Sequence, residues 1–271
     1  MLALAKALAL GQGQRHAQAN HAASELAMTH TGHASSEGPR DVKLYMFSGS
    51  NAVRTAELML RHKRIAYQEV ILKRGAHGAQ LHALGFDGRS VPALEIDGRR
   101  IQRTREISRA LDLIKPEPPL FPVNAADRVR VEDAERRGEE LQNAVRRLFY
   151  CAMTRIRDDE IDRLAARAHG ATDAAGRRDL AELPQRLDQI DAWIKAGVLD
   201  GYQLNAADFQ IAPNIAWLLR FDDIAPFIEH RPAAAYAIRV AGENPGHVPH
   251  VFADEWLTPL RTAQINAPDQ L

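Results

Sequence analysis

Cysteine is almost missing from this sequence of 271 residues, since Cys151 stands alone. One thiol forms no intramolecular disulfide and no Cys-x-x-Cys redox or metal pair, which argues against a disulfide-stapled scaffold and suits a reducing cytoplasm. In its apolar, helix-like setting Cys151 reads as a small buried residue rather than a nucleophile. Excess charge of either sign is lacking too: 35 Lys and Arg balance 35 Asp and Glu. A nucleic-acid binder usually carries a basic surplus, so no nucleic-acid partner is expected. Nowhere do about 18 apolar residues run together, and no membrane span is expected. The short apolar run at Met1–Leu10 is followed at once by Gly, Gln, Arg and His, without a small-residue cleavage site, and reads as tail. His16, His21, His30 and His33 lack the tight spacing of a metal site, and His77 and His82 have no acid or Cys in step with them, so no metal is expected.

What is present begins near Val42. Residues 1–40 hold no sustained period and read as a disordered tail. Val42, Leu44 and Met46 then mark a buried strand, followed by the turn residues Ser48, Gly49, Ser50 and Asn51. Val53, Ala56, Leu58 and Leu60 supply a helical stripe, and Ile65–Leu72 a second strand. Strand, helix and strand over about 30 residues make a βαβ unit with a parallel pair. Residues 75–86 read as a loosely helical connection. Ala93–Ile96 and Arg99–Gln102 form a hairpin about Asp97-Gly98, a type I′ signal. Pro92 has no backbone donor and so belongs at the first residue of its strand or at an edge. Thr104 caps the next helix.

The pattern is βαβαββα, a thioredoxin-like α+β domain over 41–115. A Pro-rich segment at 116–124 reads as a stiff linker. Beyond it, 125–262 reads as an all-α domain, with 263–271 as a tail. Ala125 to about Arg155 is one long amphipathic helix, and Leu183–Ile194 another with Pro184 in its first turn. Leu204 to Ala212 carries a cap: Asn205 at the N-cap, Asp208 at N3, Leu204 and Phe209 as hydrophobic staple. Asp208 is therefore a structural residue. Arg231-Pro232 opens a further helix, and the chain from Glu243 reads as a polar, Pro-rich tail.

These residues resemble the glutathione S-transferase superfamily. The likeness rests on Lys43-Leu44-Tyr45 leading into a Ser-bearing turn, on Val91-Pro92-Ala93-Leu94 with Asp97-Gly98, on Thr104 before Glu106-Ile107, and on the Asn205/Asp208 cap. It implies a cis Pro92, with Val91 offering its backbone to a thiol peptide. It also implies a hydrogen-bond donor in the first turn beside the sulfur: the Ser50 hydroxyl first, then Ser48, then Asn51. Such a donor stabilises the thiolate and lowers its pKa from about 8.5 toward neutrality. Tyr45 lies too early and reads as core. No Cys stands in this turn, which argues against thiol-disulfide chemistry. Where the family usually pairs an acid or Gln with Ser, this chain has Arg103-Thr104. Thr104 keeps a hydroxyl at a helix start for an anion, while Arg103 reverses the charge that would meet the glutathione ammonium.

Phe149, Tyr150, Met153 and Trp217 are the candidates for an electrophile pocket, with core packing as their plainer reading. The resemblance thus implies a cytoplasmic, homodimeric transferase that joins glutathione or another low-molecular-weight thiol to a small, mostly apolar electrophile. A non-catalytic ligand-binding or scaffold protein, and a thiol-dependent isomerase or dehalogenase, are the alternatives.

Overall fold

Four strands make one mixed sheet in the order β2-β1-β3-β4, with β1 at Val42–Met46, β2 at Gln68–Ile71, β3 at Ala93–Ile96 and β4 at Arg99–Gln102. The computed structural model describes residues 40–201 and 203–266, so the histidines of the expected N-terminal tail lie outside the described residues. β1 runs parallel to β2 and antiparallel to β3, as the βαβ-then-hairpin reading requires. Asp97 and Gly98 both have positive φ, 50° and 80°, the backbone of the expected type I′ turn. β2 is shorter than its apolar stretch suggested, because it is an edge strand with mostly exposed side chains.

Helices α1 (Asn51–His62), α2 (His77–Ala83) and α3 (Thr104–Ile114) complete this half. Leu44, Leu60, Leu94, Ile107 and Leu111 are buried between sheet and helices. Thr104 is not the cap of α3. Arg103 occupies that position with φ 66°, no side chain caps the helix, and Thr104 is its first residue.

The second half holds α4 (Ala125–Ile156), α5 (Glu160–Ala168), α6 (Asp173–Lys195), α7 (Ala206–Leu218), α8 (Pro232–Ala241) and α9 (Asp254–Asn266). Three expectations change here. α6 starts at Asp173, so Pro184 lies inside the helix rather than in its first turn. Leu180, Leu183, Leu187 and Ile190 bury one continuous stripe across it, and this packing offsets the roughly 3 kcal/mol that an interior proline costs. α5 is an additional helix, capped by Asp159 accepting from the Ile161 amide at 2.8 Å. The segment after Glu243 is structured: Val248 bridges Phe221, and α9 buries Trp256, Leu257 and Leu260 and runs on to Asn266.

α7 lies at the centre, with all of its residues buried, between α4, α8 and the sheet-bearing half's α1. Its capping box is present as expected, Asn205 accepting from the Ala207 and Asp208 amides while Asp208 accepts from Asn205. Between the halves, the Asn51 amide donates to Asn214; within the helical half, Asn214 donates to the Gln210 carbonyl at 2.7 Å and Gln210 to Gln142 at 2.5 Å.

Candidate functional site

The sheet register gathers the sequence-selected residues of this half at one end. Tyr45 pairs with Ala93, and Ala93 with Gln102. From that row β1 runs out into the Ser48–Ser50 turn, β3 is entered from Val91-Pro92, and β4 passes directly into Arg103-Thr104. Parallel β2 ends beside β1, with Met46 opposite Ile71, and so brings the 73–77 loop to the same end.

Ser50 is the N-cap of α1: half-buried, with extended backbone (φ −93°, ψ 119°), its Oγ accepting from the Val53 amide at 3.3 Å. This use occupies a lone pair and leaves the hydroxyl hydrogen available to another acceptor. No acidic residue stands in the first turn of α1, so nothing on the helix itself offsets its positive end. Ser48 is exposed one residue before Gly49, whose φ is 85°. Asn51 is committed elsewhere, donating to Asn214 and accepting from the Ala52 amide at 3.0 Å. Tyr45 is core, edge-on to Phe86, and burial pushes its phenol pKa up.

The Val91-Pro92 peptide is cis. Val91 is buried and precedes β3, and neither its N–H nor its carbonyl is hydrogen-bonded among the described residues. It therefore presents a short length of open strand edge, the feature that binds an extended peptide. A residue not singled out in the sequence holds this edge in place. Gln102 accepts from the Gly88 amide at 2.7 Å and donates to the Ser90 carbonyl at 3.1 Å. A Cβ on Gly88 would come within 2.6 Å of the Gln102 oxygen, so any larger residue there would push the Gln102 side chain out of this position. Next along, the Arg103 carbonyl accepts from the Glu106 and Ile107 amides, while its side chain is 75% exposed and 3.9 Å from Glu106. Thr104 is buried, and its hydroxyl makes no hydrogen bond among the described residues.

On the helical half, Phe149 meets Trp217 edge-on at 4.7 Å, and Arg220 covers the other ring at 4.8 Å. Phe149 also touches Tyr150, and Met153 is buried one turn on. Phe149 and Trp217 are thus together, whereas Tyr150 turns to a different neighbour, stacking on His169 at 5.5 Å and 11°. Phe47, at the end of β1, packs on His77 at 5.0 Å. His77 is pushed down in pKa by burial and then by the charges of Arg74 and Arg89, and its Nδ1 is buried without a partner among the described residues. His169 is lowered by burial and then by Arg146 and His77. Arg74 pairs with the fully buried Asp162. Sequence spacing offered no signal for His169, Asp162 or Arg89, because they come from α5, its C-terminal cap and the loop before β3, and meet Arg74 and His77 only through the fold. Two clefts open away from this end: one of about 280 Å³ against Leu141 and Trp193, the other of about 260 Å³ against Phe121 and Val198.

The family described as "Glutathione S-transferase, N-terminal domain" matches residues 44–119. No curated protein sequence matches the chain. Among solved structures, a glutathione S-transferase from Rhodospirillum rubrum is 24% identical, with 81% of this chain and 91% of that one covered and a TM-score of 0.57. One from Methylobacterium radiotolerans, in complex with glutathione sulfonate, is 17% identical over 79% and 97%, at 0.55. A maleylacetoacetate isomerase from Anaeromyxobacter dehalogenans, with bound dicarboxyethyl glutathione and citrate, is 19% identical over 86% and 100%, at 0.50.

Proposed function

A chain that carries a glutathione S-transferase N-terminal domain and has the fold of that superfamily starts with a place for a thiol, and we propose that this protein is a transferase joining a glutathione-like thiol to a small electrophile. The observation that carries the reading is Ser50, a helix-capping hydroxyl whose hydrogen is uncommitted, at the same sheet end as the open edge of Val91. The thiol peptide docks in strand fashion on Val91, and the Thr104 hydroxyl with the free amides of α3 takes its carboxylate. The thiol proton passes to solvent. Ser50 then donates to the thiolate, which the positive end of α1 also favours. Sulfur attacks the electrophilic carbon, a C–S bond forms, and either the leaving group departs with its electron pair or the adduct is protonated. An isomerase would return the thiol after a bond rotation. Phe149, Tyr150, Met153 and Trp217 supply the apolar side for the electrophile.

Arg103 bears on which thiol is used. An exposed guanidinium at that position repels the ammonium of glutathione and suits a thiol carrying an anion there. It is also the observation that favours the second reading, a ligand-binding protein without turnover. The single buried cysteine fits a reducing cytoplasm, and a homodimer, checked by sedimentation, completes the reading.

The test is a melting-temperature screen with millimolar glutathione and other abundant thiols, followed by turnover of 1-chloro-2,4-dinitrobenzene with each thiol that binds. At least one thiol raises the melting temperature and turns over. Ser50→Ala then raises the pKa seen in the pH-rate profile and lowers kcat/KM by about 10- to 100-fold, the worth of a hydrogen bond to a charged sulfur. Binding without turnover establishes the second reading, and an unchanged profile in Ser50→Ala removes the role given to that serine.

A further inference from the structure

Helix α4 carries seven arginines. Arg128, Arg130, Arg136, Arg137, Arg147 and Arg155 each have a carboxylate partner. Arg146 does not: its sole partner among the described residues is the Asn143 amide oxygen at 3.1 Å. It is half-buried, and loss of water disfavours its charge. A partly desolvated guanidinium without a counter-ion is costly to keep unless something anionic meets it in use.

Its surroundings sharpen this. One turn along α4 from Arg146, Tyr150 lies flat against His169. Across from them His77 packs on Phe47, two residues before Gly49 and the Ser50 cap. Arg146 and His77 both act on His169, while Arg74 and Arg89 act on His77. Asp162 is taken by Arg74 and keeps one buried oxygen unbonded, and Glu139, near Arg105 at 3.7 Å, acts on Arg146 only from a distance, so among the described residues Arg146 and Arg89 have no acid in contact. The face therefore combines flat aromatic and imidazole surfaces with two guanidinium groups that no acid contacts among the described residues, and His77 Nδ1 is buried there without a hydrogen-bond partner among them.

We propose that this face, built from Phe47, His77, Arg146, Tyr150 and His169, selects planar electrophiles that carry a carboxylate, with Arg146 binding the carboxylate. The inference deepens the transferase reading and rests on it for the word electrophile, but the binding it asserts requires no turnover.

That independence sets the experiment: calorimetric titration of the whole protein, without thiol, with 3,5-dinitrobenzoate and with its neutral isostere 3,5-dinitrobenzamide. The benzoate binds at least about tenfold tighter, as an ion-paired hydrogen bond implies. Arg146→Gln abolishes that preference, and Arg146→Lys retains most of it. In proton NMR, saturation with the benzoate raises the pKa of His77 and His169, since a neighbouring anion favours imidazolium, and the benzamide leaves both in place. Equal affinity for the two compounds, no binding of either, or an undiminished preference in Arg146→Gln overturns the proposal. Turnover with a thiol, measured separately with 4-chloro-3,5-dinitrobenzoate, decides the transferase reading whatever the titration shows.

Discussion

Asp208 is fully buried, and its two oxygens take the amide hydrogens of Asp200 at 2.7 Å and Asn205 at 2.9 Å. Those bonds favour the carboxylate, but burial outweighs them and the pKa rises to about 6. An acid with a raised folded pKa binds a proton more readily folded than unfolded, so its contribution to stability is full below about pH 4 and declines as pH rises through about 6. Asp208→Asn removes the titration and leaves one of the two amides unsatisfied, at about 1–3 kcal/mol. Urea unfolding should find the variant weaker than the wild type, with the gap narrowing from pH 4.5 to pH 7.5. A gap independent of pH would rule out titration here. Single residues of this kind were legible in the sequence because capping is local: Asn205 and Asp208 are three apart on one helix start. Gln102 was not, because what gives it meaning is a loop fourteen residues back.

Helix α4 shows how unequal its ion pairs are. Arg147 holds Asp179 of α6 with two bonds of 2.6 Å, and Asp179 is 1% exposed. Arg147→Ala leaves that carboxylate buried and unpaired, at about 3–5 kcal/mol. Arg136 bonds Asp133 and Glu140 on the surface of the same helix, where water screens both pairs, and Arg136→Ala should lower stability far less. Guanidinium denaturation of the two variants checks the ratio, and similar losses would mean that burial does not govern these pairs. At this scale the long apolar stripe of α4 was readable directly. α6 and α9 were masked by Pro184 and Pro259, which local rules treat as stops. Tertiary burial of Leu183 and Leu187, and of Trp256 and Leu260, carries both helices past them.

From Asp41 onward the chain is one compact unit. The buried Asn51–Asn214 amide bond crosses between its halves, and His62 of α1 lies on Phe209 of α7 at 5.1 Å. Thermal melts followed by tryptophan fluorescence, which reports only the helical half through Trp193, Trp217 and Trp256, should coincide with those followed by circular dichroism. Two separated transitions would show the halves to be independent. The order of elements made the two halves readable, but nothing in the sequence marked how the halves are joined. That join depends on Lys63, wholly buried, whose ammonium bonds Asp112 at 2.6 Å and the carbonyls of Lys115 and Pro116 at 2.7 and 3.1 Å. Asp112 also accepts from the Leu120 amide at 2.7 Å. The proline segment is thus riveted to the sheet-bearing half. A protease given the native protein finds no loose strap there to cut, and residues 41–114 produced alone would leave an ammonium group stranded without the carbonyls that surround it. The seam that looks most separable on paper is where the molecule is sewn shut.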